Sequence, residues 1–115
     1  TVAEELERVL SVVQLLRPAI SVPISVDTTR AAVASAAIAS GADLVNDISG
    51  AMFDSEMLVT VAKLGVPIVL MHMRGTPQTM QQLTDYEDLI GEIHQFLKSR
   101  VADAIAFGID PDRII

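Results

Sequence analysis

The chain has 115 residues, half of them hydrophobic and 3% aromatic, with 8 basic against 15 acidic side chains and a formal net charge of −7. That length suits one modest domain, the apolar half excludes a disordered tail, and no apolar run reaches the roughly 18 residues that suggest a membrane span. An acidic balance without a Lys/Arg cluster argues against nucleic acid and anionic membranes as partners, and the absence of cysteine removes disulfides, thiolate nucleophiles and thiolate zinc sites while fitting a reducing compartment. No signal peptide is visible; the chain opens on Thr1 and stops at Ile115 inside an apolar run, so both ends read as cuts.

Thr1 with Glu4 forms a capping-box signature, and Leu6, Val9, Leu10, Val13 and Leu16 follow at helical spacing until Pro18, which predicts a helix over about residues 2–17. Val22 to Val26 is short, β-branched and entered through Pro23, and reads as a strand ending at the polar Asp27-Thr28-Thr29. Residues 30–40 are alanine-rich, with Val33, Ala36 and Ala37 on one helical face and Gly41 at the C-cap. A second strand is expected over Asp43–Ile48. Asp54 then caps a helix on which Met57, Leu58, Val61 and Leu64 share a face, closed by Gly65. Pro67 to Met73 reads as a third strand. Residues 74–83 form the only long polar stretch, a loop of the length that often carries function. Thr84 with Glu87 repeats the capping box before a helix through Phe107, with Leu89, Ile93, Phe96, Leu97 and Val101 inward and Gly108 near its end. Arg113-Ile114-Ile115 starts a fourth strand.

Glycines 41, 65 and 108 mark the same point in each helix–strand unit, although the units share no close sequence repeat. Alternating units with apolar strands imply an α/β chain with a parallel sheet covered by helices, either an open doubly wound sheet or a (β/α)8 barrel, and in both the chemistry gathers at the C-terminal strand ends. No G-x-G-x-x-G or Walker signature follows a strand, which favours the barrel.

Strand alternation then sorts the side chains. Ser25 and Asp27 share one face, as do Leu44, Asn46 and Ile48, and Val69, Met71 and Met73. If those faces point into a barrel, Asp27, Asn46 and Met71 lie near its mouth on three successive strands. A carboxylate, an amide and a polarizable thioether together suit a flat polar heterocycle. Each also has a plainer role. Asp27 is equally suited to cap the helix starting near Thr28, and Met71 to pack the core, whereas an amide inside an apolar strand needs partners if buried. Asp47 and His72 fall on the opposite faces and suit local hydrogen bonds. His72, Asp47 and His94 lack ligand spacing for a metal, Arg74 is either an anion contact from its loop or a solvated side chain, and Glu4, Glu5 and Glu7 form a solvated helix face.

At these residues the sequence resembles the dihydropteroate synthase family. The matching segments are Ile24 to Thr28 (ISVDT), Gly41 to Gly50 (GADLVNDISG), Met71 to Pro77 (MHMRGTP) followed by Thr79-Met80, and Gly108 to Ile115 (GIDPDRII), in family order and spacing. The first is weakly specific; the second and third at this separation are specific.

The resemblance implies a partial (β/α)8 TIM barrel running roughly from helix 2 to the start of strand 6, the central part of a single pterin-binding domain. It implies that Asp27 hydrogen-bonds the pterin ring and amino edge, Asn46 the ring nitrogens, and that Ile48 and Met71 form apolar walls, with no catalytic group assigned within this stretch. The implied reaction joins a dihydropterin carrying a pyrophosphorylated hydroxymethyl group to 4-aminobenzoate in folate biosynthesis, through loss of pyrophosphate and attack of the aryl amine on a pterin-stabilised methylene cation. A carboxylate beside the pterin favours that cation.

Magnesium is implied as cofactor with its ligands outside these residues, as are the pyrophosphate and most aminobenzoate contacts. Lys98-Ser99-Arg100 lies on a helix and is not the family's late basic motif. A homodimer in the cytoplasm, or in an organelle, is the implied state of the complete enzyme, and this stretch alone is expected to be inactive. The nearest rival is a pterin-binding methyltransferase acting on a reduced folate; a catalytically dead barrel serving as an oligomer partner is the rival of another class. Since a complete barrel takes about 250 residues, the length that permits one domain marks a fragment here.

Overall fold

The computed structural model describes residues 1–115. Three parallel strands form one sheet in the order β1 (Ser25–Asp27), β2 (Leu44–Asp47), β3 (Ile68–Leu70), with helices α1 (Val2–Leu16), α2 (Ala31–Ala39), α3 (Met57–Leu64) and α4 (Leu89–Ala106) in the connections. Two short 3-10 turns occupy Met80–Gln82 and Pro111–Arg113. Past the second, Ile114 bridges Ile68 in parallel and the Ile115 N–H donates to the Ile68 carbonyl at 2.9 Å, so a fourth strand does begin where the closing apolar residues suggest it.

Burial follows the period of two expected of strands. Val26, Val45, Asp47, Ile68 and Leu70 are buried, while Ser25, Asp27, Asn46 and Val69 between them are exposed or half-buried. The buried side packs against the helices. Val13 of α1, Ala34 and Ala37 of α2, Met57, Leu58 and Val61 of α3 and Ala104 of α4 join Val26, Val45, Ile68 and Leu70 in one cluster. Alanines on α2 leave little side-chain bulk, which suits a helix buried between its neighbours α1 and α3. The opposite side of the sheet is uncovered.

Local signals succeed where the side chain answers to its own helix. The Thr1–Glu4 capping box forms, with the Glu4 N–H donating to Thr1 Oγ1 at 3.2 Å and the Glu4 carboxylate accepting from the Thr1 end at 2.7 and 2.9 Å. The glycines expected after the second to fourth helices, Gly41, Gly65 and Gly108, all sit at positive φ.

Two expected caps are corrected. α3 starts at Met57, and Asp54 accepts from the Glu56 N–H at 3.0 Å and, across the fold, from the Ala31 N–H at 2.8 Å. Asp54 thereby satisfies a free donor in the first turn of α2, whose own cap residue Arg30 supplies no acceptor. α4 starts at Leu89 under Asp88, which accepts from the Gly91 N–H at 3.0 Å, so Thr84 and Glu87 are not its capping box. Tertiary packing decides the second case: the Tyr86 ring, which would sit in the first turn of the expected helix, lies against His72 with Arg74 stacked over it. Leu89 is accordingly exposed, while Ile93, Phe96, Leu97 and Val101 are half-buried.

All three strands are also shorter than expected, β2 running from Leu44 to Asp47 and leaving Asp43 and Ile48 just outside it. β1 begins at Ser25 and keeps Asp27, and β3 ends at Leu70. Met73 therefore departs from the alternation and is 5% exposed, in contrast to Met71 at 39%.

Candidate functional site

Register assembles the site. Asp27 pairs with Asn46 and Asn46 with Val69, so the three form a row across the uncovered face at the C-terminal ends of their strands. The Met71 N–H donates to the Asp47 carbonyl at 3.4 Å, carrying the register past β3 and setting Met71 across from Ile48. Asp27, Asn46, Ile48 and Met71 are thus brought to one face, with neighbouring strands about 4.8 Å apart. Neither the Asp27 carboxylate nor the Asn46 carboxamide has a hydrogen-bond partner within the chain, and Asp27 does not cap α2. Thr28 does the local work instead: its Oγ1 accepts from the Arg30 N–H at 3.2 Å. One free carboxylate and one free carboxamide side by side offer acceptors and a donor to the edge of a planar, nitrogen-rich ligand, with Ile48 and Met71 supplying apolar surface beyond them.

Behind this face lies a second carboxylate. Asp47 is fully buried; its Oδ1 accepts from the Ser49 N–H at 2.8 Å and the Ser49 hydroxyl at 2.6 Å, while its Oδ2 is buried without a partner. Ser49 Oγ in turn accepts from the backbone of Met52 at 3.1 Å and Phe53 at 3.3 Å, so the pair folds the turn that follows Ile48. Asp47 thus makes the local bonds expected of it. Burial pushes its carboxyl above the usual 3.8, against the hydrogen bonds from Ser49, and the charge of Asp27 adds to the rise.

A folded-state pKa above the unfolded one contributes stability present below 3.8 and lost as pH rises through the folded value. The complete protein carrying Asp47→Asn is therefore expected to gain stability relative to wild type as pH climbs from 3.8 through the folded value, and to hold a constant difference above it. Urea unfolding of both proteins across a pH series checks this, and parallel stability curves would contradict it.

The loop after β3 is held by ring contacts that are edge-on or tilted. His72 meets Phe96 edge-on at 5.0 Å and Tyr86 at 6.2 Å, and the Arg74 guanidinium lies 4.4 Å over the Tyr86 ring while donating to the Asp85 carbonyl at 2.6 Å. Arg74 is thus half-buried against Tyr86 and not extended into solvent. With Met71, Gln81 and Tyr86 it lines a cavity of about 300 Å³ beside the row.

A contact that the sequence does not announce lies behind Asp27. Glu5 belongs to the acidic run expected to be solvated, yet its Oε1 accepts from the Thr28 hydroxyl at 2.6 Å and its Oε2 pairs with Arg30 at 2.8 Å. The separation of 23 residues explains why no local pattern flags it. No group of three or more His, Cys, Asp or Glu side chains is gathered closely enough to hold a metal ion together. No helix is long and apolar enough to cross a membrane.

A family described as "Pterin binding enzyme" matches residues 1–115. A protein named dihydropteroate synthase from Synechocystis is 55% identical over 112 residues, covering 97% of this chain and 39% of its own length. The folic acid synthesis protein fol1 of Schizosaccharomyces pombe is 48% identical across 100% of this chain and 16% of its own. Among solved structures, a dihydropteroate synthase from Stenotrophomonas maltophilia with active site-bound imidazole superposes with a TM-score of 0.94 at 41% identity, covering 99% of this chain and 43% of that one. The Xanthomonas albilineans enzyme in complex with 7,8-dihydropteroate superposes with a TM-score of 0.89 at 38% identity, covering 99% and 40%. With a family match over every residue, and a parallel α/β layer that superposes on these structures throughout, the chain belongs to the pterin binding enzyme family.

Proposed function

We propose that these residues are the central part of one (β/α)8 barrel domain, from its second helix to the start of its sixth strand, in a dihydropteroate synthase. The complete enzyme condenses (7,8-dihydropterin-6-yl)methyl diphosphate with 4-aminobenzoate to give 7,8-dihydropteroate and diphosphate. The observation that carries this reading is the Asp27–Asn46 pair, in register and unpartnered on the open face. Asp27 accepts from the pterin's ring N–H and amino group, Asn46 hydrogen-bonds the ring nitrogens, and Ile48 and Met71 wall the ring. As diphosphate leaves, the carboxylate of Asp27 opposes the positive charge that develops on the pterin-bound methylene, in a site whose fixed groups need little reorganisation. The aryl amine then attacks that carbon.

Magnesium, the diphosphate and most aminobenzoate contacts belong to residues outside this stretch, and the complete enzyme works as a homodimer in the cytoplasm or an organelle. The test is product formation. The complete protein given both substrates should form 7,8-dihydropteroate and release one diphosphate for each, with sustained turnover only when 4-aminobenzoate is present, and the 115-residue segment alone should form none. Methyl transfer from a reduced methylfolate by the complete protein, without diphosphate release, would replace this reading by that of a methyltransferase.

A further inference from the structure

We propose that Glu5 of α1 is a positioning residue for Asp27, acting through Thr28 and Arg30; the inference rests on the assignment of Asp27 to the pterin. Asp27 has no partner of its own, so the direction of its carboxylate is set by the backbone that bears it. That backbone is pinned at successive points. The Thr28 N–H donates to the Asn46 carbonyl at 3.1 Å, locking the end of β1 to β2 beside the very residue that completes the pair. Thr28 is 3% exposed, and its hydroxyl has one proton to give, which goes to Glu5 Oε1 at 2.6 Å. With its proton so directed, the hydroxyl oxygen presents a lone pair to the Arg30 N–H at 3.2 Å.

Glu5 Oε2 holds the Arg30 side chain at 2.8 Å, so a single carboxylate grips both residues flanking Thr29. Asp54 holds the next N–H, that of Ala31, at 2.8 Å. The stretch from Thr28 to Ala31 is thereby fixed from α1 and from the β2–α3 connection together. Of these grips only Glu5 reaches the hydroxyl adjoining Asp27. A carboxylate held in its binding geometry before the ligand arrives loses less freedom on binding, and that saving falls on the ligand it contacts.

The experiment uses the complete enzyme and measures the dissociation constant of the dihydropterin diphosphate, with the Michaelis constant of the aryl amine substrate beside it. Glu5→Ala keeps a strong helix former in α1 and removes both grips; Thr28→Val removes the hydroxyl at nearly constant shape. Each should weaken pterin binding about tenfold, while the Michaelis constant of the aryl amine stays within about twofold. Glu5→Gln, which keeps an acceptor for the hydroxyl and loses the charge facing Arg30, should fall between Glu5→Ala and wild type, and Thr28→Ser should bind as wild type does. If Thr28→Val does not fold, the Glu5 pair decides. A role in stability alone would lower the active fraction equally for both substrates and leave the pterin constant unmoved in Glu5→Ala, which would overturn the proposal. An unmoved pterin constant in Asp27→Asn would instead remove Asp27 from the site, a failure of the underlying reading that the Glu5 variants do not mimic.

Discussion

Replacing Asp27 by Asn is expected to weaken binding of the dihydropterin diphosphate to the complete enzyme about 100-fold, the scale of losing a pair of charge-assisted hydrogen bonds. The substitution keeps the shape of the side chain and one carbonyl oxygen. It exchanges the second oxygen for an NH2 that meets a ring or amino donor head-on, and it removes the charge. Nothing in the chain competes for the carboxylate, since it accepts no hydrogen bond from the protein and faces the uncovered side of the sheet. Its pairing with Asn46 is a backbone register, which Asn at position 27 leaves in place. The loss should therefore appear as affinity and not as stability. Calorimetric titration of the two proteins checks the affinity, and urea unfolding the stability. Equal affinities would exclude Asp27 from the pterin site, whereas lost affinity accompanied by lost stability would mean that the carboxylate also serves the fold.

That face was legible in the sequence because strand side chains alternate: Asp27 stands two residues from Ser25, Asn46 two from Leu44, and Met71, just past the end of β3, two from Val69. Legibility ended where a residue answers to another part of the chain. Asp54 has every mark of a helix cap at its own position, yet it also reaches the Ala31 N–H of α2, 23 residues away. Thr84 and Glu87 match a capping box in spacing, but Tyr86 between them is drawn onto His72 and Arg74, and Asp88 caps the helix that remains. Met73 continues the alternation only if the strand continues, and the hydrogen-bonded strand ends at Leu70. Glu5 carried no signal at all. One carboxylate in an acidic run looks solvated until the fold brings Thr28 and Arg30 against it.

At the other end of the strands, Gly41→Ala is expected to destabilise the complete protein by about 3 kcal/mol, combining strain of about 1–3 kcal/mol at a disallowed φ with disrupted hydrogen bonds to a charged group. Gly41 has φ +113°, outside the left-handed region that even tolerant side chains visit, and a Cβ there would lie 2.6 Å from Cγ and 2.8 Å from Cδ of Arg17. The stem of Arg17 cannot yield cheaply. Its guanidinium donates to the carbonyls of Gly41 at 3.2 Å, Ile20 at 2.7 Å and Val22 at 3.1 Å and to Asp43 at 2.8 Å, and Asp43 also accepts from the Ile24 N–H at 2.7 Å. One side chain thus joins the end of α1, the approach to β1 and the entry to β2. Because the Arg17–Asp43 pair is partly exposed, its charge alone contributes little, and the cost of Gly41→Ala comes chiefly from strain and displacement.

A double-mutant cycle separates these terms. With Arg17→Ala the Cγ and Cδ are gone and only the Cβ, 3.2 Å from the new methyl, remains to be accommodated, so the two substitutions together should cost less than their sum by about 1 kcal/mol, leaving the φ strain and that milder contact behind. A Gly41→Ala protein as stable as wild type would refute the close approach. Asp27 and Asn46 stand at the C-terminal strand ends and Arg17, Gly41 and Asp43 at the N-terminal entries, so pterin affinity per folded molecule should be the same in all four proteins of the cycle. A barrel layer keeps its chemistry and its fastening at opposite ends of the same strands, and residues close together in sequence, such as Asp43 and Asn46, fall under different demands for that reason.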